Sequence, residues 1–559
     1  MEKKEISKRT KSMNPFGKYL LRYGVGLLTI GGGIALWYGF ENFSGYSVWK
    51  SYVCEANGWI EDSIDSKDFL SSEPRSRNYI WMKDLIPPPM DSNKNFASHP
   101  YWQTYFKSIY GDREEERDTL KQKHEMYCPL TLSLKNVSQQ EWKNITVNIE
   151  KEIDQLFLYK DTNLTKEELI WNGGASSLVG LCEKLLNMQK EGEVAHFSLR
   201  DYLQRHPECR YPVDWKMAAL SGERNVHSSA FLHLEDYSYH RAIALAITKE
   251  AGECTKEAIY LIKLGNSLSR EPSDISLLLK QKLIDSGLKV IYLGLNLGLW
   301  EESQLSELQK ELEKVDFWDD YRLGMMGERA TINGYALNVG VKNYAFLKDV
   351  NISTIQKMKY FPENWFERLK LHLRPKGWFF RDLLEYNYMM DTLIEIQDRE
   401  DRKFNSLETP FALQNLEDYL MGWKNKSFRT KNLICNDKLA SFYWKIIIEL
   451  PWRQFDKDAT AASCAVERYY LREGRYPKSI SDLKEICPLI DNNDKVNFIP
   501  LNIEFTEDEY CFVNPGWTRM PVGKEMENKA LGIWRWKMQK KGVFADKRQC
   551  EKMGEESGF

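Results

Sequence analysis

The stretch EPSDISLLLKQKLIDSGLKVIYLGLNLGL, residues 271–299, combines a helix start signal with a long apolar segment. Pro272 suits the first turn of a helix, where a missing amide hydrogen costs no hydrogen bond. Ser273 and Asp274 are residue types that commonly begin helices. We therefore predict a long helix over Ile275–Leu299.

The helical pattern continues on both sides of this stretch and is strongest over residues 226–339. Connections between the predicted helices are short, so neighbouring helices are expected to pack antiparallel as hairpins. No fixed repeat period establishes a solenoid, although a helical array stays open. The predicted fold class is mainly α, with a multi-helix body built as an array of antiparallel hairpins. Further helices are predicted at Lys166–Gln189 with a break near Gly173-Gly174, Leu199–Gln204, Ala230–Glu250, Lys256–Leu268, Ser303–Val315, Asp382–Gln397 and Asp437–Leu450.

An uncharged apolar run, YGVGLLTIGGGIALWYGF, occupies Tyr23–Phe40. As a helix it would span roughly 27 Å, close to the thickness of a bilayer core. The preceding segment is basic, and the positive-inside rule keeps such a segment in the cytosol. We predict a transmembrane signal anchor in the bacterial inner membrane, with a cytosolic N-terminus and an exported, periplasmic body. A cleaved signal peptide is the alternative, but Trp37–Glu41 makes a poor cleavage site.

Small residues recur at every fourth position of the apolar run, at Gly31, Ala35 and Gly39. Such a face allows close packing against another membrane helix. Glycine is also common in membrane helices, so the pattern has an ordinary explanation as well.

A proline-containing stalk is predicted between the anchor and the body. It holds three consecutive prolines, Pro87–Pro89, followed by Asn95-Phe96-Ala97. Consecutive prolines fix φ and remove amide donors, which favours an extended polyproline II segment. We interpret this segment as a spacer; a proline-rich docking motif is the alternative.

The C-terminal part contains TAASCAVERYYLREGRYPKSISDLKEICPLI at 460–490 and LNIEFTEDEYCFVNPGW at 501–517. We predict a helix that ends at Glu473-Gly474, a short helix over Ser479–Glu485, and two antiparallel strands over Leu501–Phe505 and Tyr510–Val513. These phrases resemble the small α+β module at the C-terminus of pseudopilin-like exported proteins. The acidic loop that binds calcium in major pseudopilins is replaced here by residues 514–519, NPGWTR, so no calcium site is expected.

The wider order of segments resembles an uncharacterised family of single-span, envelope-anchored helical proteins from planctomycete- and verrucomicrobia-type bacteria. The matching phrases are short: Ile86–Pro89, Asn95–Ala97, Trp300 with Gln304-Leu305, Glu328-Arg329 and Glu467–Pro477. The resemblance implies organisation and location rather than chemistry. It implies seven segments: a cytosolic basic segment (1–22), the transmembrane anchor (23–40), the stalk (41–100), a mostly helical region (101–225), the helical body (226–454), the small α+β module (455–520) and a tail (521–559).

Composition excludes some functional classes. The chain of 559 residues has a net charge of −3, and this near-neutral balance does not favour nucleic acid as a partner. Its ten cysteines form no CxxC pair, so a zinc ribbon or thioredoxin-like motif is not expected. The expected partners are the membrane, through the N-terminal helix, and other envelope proteins.

The best candidate for a metal site is His233, Asp236 and His240, which share one face of a predicted helix. The two histidines are two turns apart, about 10.5 Å along the axis, which is too far for one zinc ion. A solvated polar face is therefore the main interpretation, and no cofactor is predicted. The chain also lacks the HExxH, GxSxG and Walker A motifs.

These patterns favour a non-catalytic, membrane-anchored envelope protein that works through protein–protein contacts, in an envelope or secretion-related assembly. One alternative is an exported hydrolase with an active site built from dispersed residues. A deep pocket holding several of His227, His233, Asp236, His240 and Glu328 would support it. The other alternative is a carbohydrate- or peptidoglycan-binding protein that uses exposed tryptophans, with Trp423, Trp452 and Trp534 as candidates.

Overall fold

A computed structural model describes residues 32–52, 85, 90–91, 94–110, 128–134, 137–158, 176–213, 227–335, 376–398, 437–487, 502–505, 509–513, 533–539 and 549–551. These residues are mainly helical, as the sequence predicts. The chain divides into two compact units. Unit A comprises Met1–Ile80, Asn333–Met389 and Met421–Asp437, and unit B comprises Trp81–Ile332, Met390–Leu420 and Lys438–Phe559.

The helices of the described residues follow the chain with short connections through the centre of unit B. In order, they are α1 (32–52), α2 (Pro100–Tyr110), α3 (Pro129–Ser133), α4 (Gln139–Leu158), α5 (Ser176–Arg205), α6 (Ser228–Ile247), α7 (Ala251–Asn266), α8 (Asp274–Asn296), α9 (Glu302–Glu313), α10 (Trp318–Tyr335), α11 (Lys376–Asp398) and α12 (Asp437–Glu473), with 3₁₀ helices at Phe96–Ser98 and Ile480–Leu483.

The stretch that predicts the fold forms α8 at the centre of unit B. Ser273 caps the helix by accepting a hydrogen bond from the amide of Ser276 at 3.4 Å. Pro272 lies just before this cap instead of in the first turn, and the helix begins at Asp274, one residue before the predicted start. Helix α7 packs against both α6 and α8. Leu283 and Ile291 on α8 are completely buried. Burial of each such side chain contributes about 1.5–3 kcal/mol to the free energy that stabilises the fold.

Two predicted pairs of helices are single helices in the structure. The described part of the predicted helix at Lys166–Gln189, from Ser176 onward, and the predicted helix at Leu199–Gln204 both belong to α5, which continues for 30 residues and ends before His206-Pro207. The apolar pattern fails in between because the interior side of α5 carries polar residues there, including the completely buried Gln189 and His196. Similarly, α12 runs for 37 residues from Asp437 through Pro451 to Glu473. The predicted break at Gly173-Gly174 lies outside the described residues.

The segment predicted as a stalk is ordered at both of its described ends. Helix α1 continues past Phe40 to residue 52, so residues 41–52 are helical rather than extended. Phe96 and Ala97 are buried in unit B and belong to its body, because Phe96 packs against the ring of Trp102 at 6.0 Å. The three prolines lie outside the described residues.

No helix in the described part of the chain is both long enough and apolar enough to cross a membrane. Residues 23–31 of the predicted anchor fall outside that part.

The strands form one antiparallel sheet in the order β1 (Asn502–Phe505), β2 (Glu509–Val513), β3 (Ile533–Gln539), β4 (Gln549–Glu551). β1 and β2 correspond to the two predicted strands, and Phe505, the last residue of β1, pairs with Tyr510 on β2. β3 and β4 lie within the segment predicted as a tail. Gly474 ends α12 in the left-handed conformation, with φ +68°, as the sequence predicts.

Two glycines of α5 provide a matched test of its packing. A Cβ at Gly192 would overlap the carbonyl oxygen of Pro129 on α3, whereas a Cβ at Gly180 meets open space. Gly192→Ala is expected to lower the free energy of unfolding by about 1–3 kcal/mol, because the neighbouring backbone cannot yield easily. Gly180→Ala is expected to raise it by about 0.5–1 kcal/mol through helix propensity. Denaturant unfolding followed by circular dichroism measures both, and equal effects would contradict this packing of α3 on α5.

Candidate functional site

The structure brings two of the three predicted metal-site residues together, on α6. Nδ1 of His240 donates to the backbone carbonyl of Asp236 at 2.8 Å and lies 3.1 Å from its carboxylate. Nε2 of His240 lies 3.5 Å from the Glu150 carboxylate on α4, an ion-pair distance. The indole of Trp142 donates to the second Asp236 oxygen at 2.9 Å. His240 therefore lies between two carboxylates that come from different helices.

The electrostatics of this cluster favour a charged imidazolium. Burial of His240 opposes its charge, but the contacts with Asp236 and Glu150 outweigh burial and raise its pKa to about 9. The pKa of Asp236 moves the other way: burial would raise it, but hydrogen bonding with His240 holds it below its ordinary value. The cluster is an ion-pair bridge between α4 and α6.

The predicted metal site does not form in the described part of the chain. His233 is exposed on the surface of α6, whereas His240 is buried. Within the described ranges, no group of three or more histidine, cysteine, aspartate or glutamate side chains could hold a metal ion. The reason is geometric, because residues seven apart on a straight helix are separated by two turns along its axis.

The most densely charged cluster in the described residues is one that sequence reasoning missed. It surrounds Glu257 on α7, a carboxylate that is completely buried. Nε2 of His196 donates to this carboxylate at 2.7 Å, and Arg200 donates to it at 2.8 Å. Arg241 on α6 lies 3.5 Å from the same group. We call these four residues the Glu257 cluster; it joins α5, α6 and α7.

Outer carboxylates balance the two arginines of the Glu257 cluster. Arg200 also binds Glu253 at 3.0 Å, and Arg241 binds Glu193 at 2.7 Å. Burial alone would raise the pKa of Glu257, but His196 and the arginines hold it below its ordinary value. The buried carboxylate therefore stays ionised.

A sequence signal for the Glu257 cluster exists but is easy to overlook. His196 and Arg200 are four residues apart on α5, as are Glu253 and Glu257 on α7. Each pair shares a helix face, and opposite charges on two such faces predict an interhelical pairing. Charged faces are usually solvated, so the pattern alone does not reveal burial.

Three further charged or titratable residues, His227, Asp320 and Arg329, are also paired in the interior. His227 binds Glu271 at 2.9 Å, and the Tyr211 ring stacks on the imidazole at 5.5 Å. Asp320 forms an ion pair with Lys280, and burial raises the pKa of Asp320 to about 6. Arg329, beside Glu328, pairs with Asp391. Five cysteines have free, buried thiols, namely Cys128, Cys182, Cys209, Cys254 and Cys464, and Cys487 is also buried.

Unit B has two surface clefts, and the residues of the Glu257 and His240 clusters are not among those that line them. One has a volume of about 490 Å³ and lies between residues 95–98, α2 and residues 210–212; the other, about 570 Å³, lies beside α5 near Ser133 and Lys184. No histidine, cysteine or aspartate is among the described residues that line them. Of the candidate tryptophans, Trp452 falls in α12 and Trp534 in β3, and Trp423 lies outside the described residues.

In unit A, the described residues of the predicted glycine face make no close packing contact, and their packing against another membrane helix stays a prediction. Gly31 lies outside the described residues, Ala35 is exposed, and a Cβ at Gly39 would meet nothing within 4 Å. The close approach of α1 occurs instead at Gly45, where an added Cβ would overlap the backbone of Gly377 on α11.

Polar bonds reinforce this crossing of α1 and α11. Glu41, which ends the uncharged run, is buried there and accepts from the Trp378 indole at 3.1 Å. Arg381 lies 3.3 Å from the same carboxylate. The residue that bounds the apolar run in the sequence is therefore a packing residue in the structure.

The Glu257 cluster has a matched pair of test substitutions. Glu257→Gln removes the charge that both buried arginines face, and is expected to lower the free energy of unfolding by about 3–5 kcal/mol. Glu253→Gln, at the half-exposed edge, is expected to cost under about 1 kcal/mol. Thermal unfolding followed by calorimetry measures the two; a small loss in Glu257→Gln would mean that the cluster is not ionised.

The His240 cluster predicts a pH-dependent stability. The folded-state pKa of about 9 exceeds the unfolded value of about 6.5, so its stabilisation is complete below about pH 6.5. It is lost as the pH rises through 9. After allowance for the half-exposed carboxylates, His240→Gln is expected to cost about 2 kcal/mol at pH 6 and much less at pH 10. Unfolding of both chains is measured across this range, with the exposed His233→Gln as control. A pH-independent difference would contradict the ion-pair assignment.

Comparison with protein-family models, with curated proteins and with solved structures gave no match. The resemblance to envelope proteins rests on the short phrases quoted above and stays a prediction. The functional assignment below accordingly rests on the residues and on the geometry of the two units.

Proposed function

We propose that this chain is a membrane-anchored protein of the bacterial cell envelope that works through contacts with other proteins and catalyses no reaction. The observation that carries the proposal is the arrangement of the ionisable side chains in unit B. The buried histidines and carboxylates of the Glu257 and His240 clusters pair between helices, and they are not among the described residues that line the two clefts. An active site requires such groups next to space for a substrate.

The alternative of a hydrolase with dispersed catalytic residues lacks this support. His227 is held by Glu271, His233 is exposed, and His240 is an ion-pair partner of Asp236. Neither these residues nor Glu328 line the two clefts. A hydrolase would need a positioned acid–base group beside one of these clefts. The lining carboxylates of the second cleft, Glu183 and Glu191, are exposed, and no histidine or aspartate is among the described residues that line it.

The proposed membrane anchor has support from the outer surface of α1. Leu36 is 78% exposed and Phe40 is 66% exposed, with Ile34 and Phe43 also exposed in the described residues. A row of large apolar side chains in water is unfavourable, and such rows mark contacts with membrane or protein. Together with the uncharged run of residues 23–40 and the basic segment before it, this surface favours insertion in the inner membrane.

The proposed pseudopilin-like module has support from contacts around Tyr476. Its hydroxyl donates to Glu467 on α12 at 3.1 Å, and its ring lies 5.5 Å from the Tyr510 ring on β2. The quoted RYP turn therefore contacts both the end of α12 and the sheet. This arrangement fits a helix-plus-sheet module that presents a surface to partners.

Membrane insertion is tested with the full chain carrying an N-terminal tag in a bacterial host. The chain is expected to resist alkaline extraction from membranes, with the tag protected from protease added to spheroplasts and the body accessible. Leu36→Arg is expected to reduce membrane retention, because a charge in a spanning helix is unfavourable, by up to about 2.5–3.5 kcal/mol at its centre. Leu232→Arg, at a leucine that is 39% exposed in unit B, is the control and should leave retention unchanged. A soluble full-length chain would overturn the anchor.

The assembly role is tested by crosslinking in membranes followed by affinity purification of the tagged chain. A defined partner protein is expected at a constant ratio to the chain. Recovery of the chain alone at every expression level would overturn the proposal. Turnover of an ester, peptide or glycoside substrate that is lost in a cleft variant would favour the hydrolase instead.

A further inference from the structure

Among the described residues that line the 490 Å³ cleft of unit B are two cations and no carboxylate. Residues 95–98 form one wall, α2 contributes Gln103, Phe106 and Lys107, and Arg210 and Pro212 close the other side. The volume falls within the range of small-molecule sites, about 300–1,000 Å³. Its charge, together with its size, points to an anionic occupant.

The walls of this cleft are held together by one asparagine. The Asn95 side chain donates to the carbonyl of Arg210 at 2.9 Å and accepts from its amide at 2.9 Å. A third bond joins the amide of Phe96 to the carbonyl of Glu208 at 3.0 Å. The two segments are therefore fixed before any ligand arrives, which reduces the entropy cost of binding.

Arg210 differs from the three buried arginines described in unit B because no carboxylate among the described residues pairs with it. Arg200, Arg241 and Arg329 each form an ion pair with aspartate or glutamate. The terminal nitrogen NH1 of Arg210 is buried and has no hydrogen-bond partner among the described residues. Burial also lowers the pKa of Arg210, and no neighbouring charge opposes that shift.

A guanidinium nitrogen that is buried without an acceptor is unfavourable, because its lost hydration is not replaced. When such a group lies beside a cleft, an anion that enters the cleft can supply the missing acceptor, which favours its binding. A guanidinium binds carboxylate or phosphate oxygens through parallel N–H bonds, and an ammonium adds a point charge. Phe106 and Pro212 provide an apolar surface in the same cleft.

We propose that this cleft binds a small organic anion, with its carboxylate or phosphate group at Arg210 and Lys107 and its apolar part against Phe106 and Pro212. The site needs neither the membrane anchor nor a partner protein. It thus goes beyond the assembly role and stands or falls separately. Bound anion would complete the charge balance of the cleft in the same way that Glu257 balances the arginines of the core.

The probes are benzoate, phenyl phosphate, inorganic phosphate and the neutral benzamide, titrated by calorimetry into the full chain in an uncharged detergent. Benzoate or phenyl phosphate is expected to bind, and the tighter of the two distinguishes a carboxylate from a phosphate site. Benzamide should not bind, because it lacks the charge. Inorganic phosphate should bind more weakly than phenyl phosphate, since it leaves Phe106 and Pro212 without a partner.

Arg210→Gln is expected to weaken the anion by about ten- to a hundredfold, the range for loss of a charged hydrogen bond. Lys107→Gln should weaken it less, and Lys190→Gln, which removes an exposed charge from the second cleft, should change nothing. The melting temperature of the ligand-free Arg210→Gln chain should not fall, because an unpaired charge has been removed. Equal binding of benzamide, unchanged binding in Arg210→Gln, or no binding of any anion at millimolar concentration would overturn the proposal.

Discussion

The packing of α5, α6 and α7 depends on the buried carboxylate of Glu257. It accepts from His196 and Arg200 on α5 and faces Arg241 on α6, so one side chain fixes the positions of three helices. Buried ion pairs of this kind add little net stability compared with apolar packing, but a mismatch in register is costly. An axial slip of α5 by one turn would separate Arg200 from Glu257 and Arg241 from Glu193.

In the described core of unit B, buried charged groups pair with one another across helices. The clusters around Glu257, His240 and Asp320 consume acids, bases and cations that a catalytic site would need. Arg210 differs from these groups in unit B, because it is a half-buried cation that lies beside a cleft and has a buried nitrogen without a hydrogen-bond partner. Whether a buried charge has a partner therefore distinguishes a structural ion pair from a candidate ligand site more clearly than its residue type does.

In unit A, the end of the apolar run has two roles that follow from one helix. The outer face of α1 carries exposed Leu36 and Phe40, whereas Glu41 and Gly45 pack against α11. Gly377 permits the close approach, because a side chain at this position would overlap the carbonyl of Glu41. The helix can thus present an apolar surface and still be held by folded protein.

Periodicity and capping residues by themselves determined the helical class and the approximate positions of α6 to α9, because apolar spacing and signals such as Ser273 are local. The observed helix ends differ from the predicted ones, most at the start of α7, which begins at Ala251 instead of Lys256. They also excluded a shared metal for His233 and His240, since helix rise sets that distance. Only the tertiary structure decided that α5 is continuous, that Gly45 rather than Gly39 packs, and that Glu257 is buried. Each of these depends on contacts with a distant segment. Arg241 on α6 lies against Glu257, Gly377 on α11 lies against Gly45, and a Cβ at Gly39 would meet nothing within 4 Å.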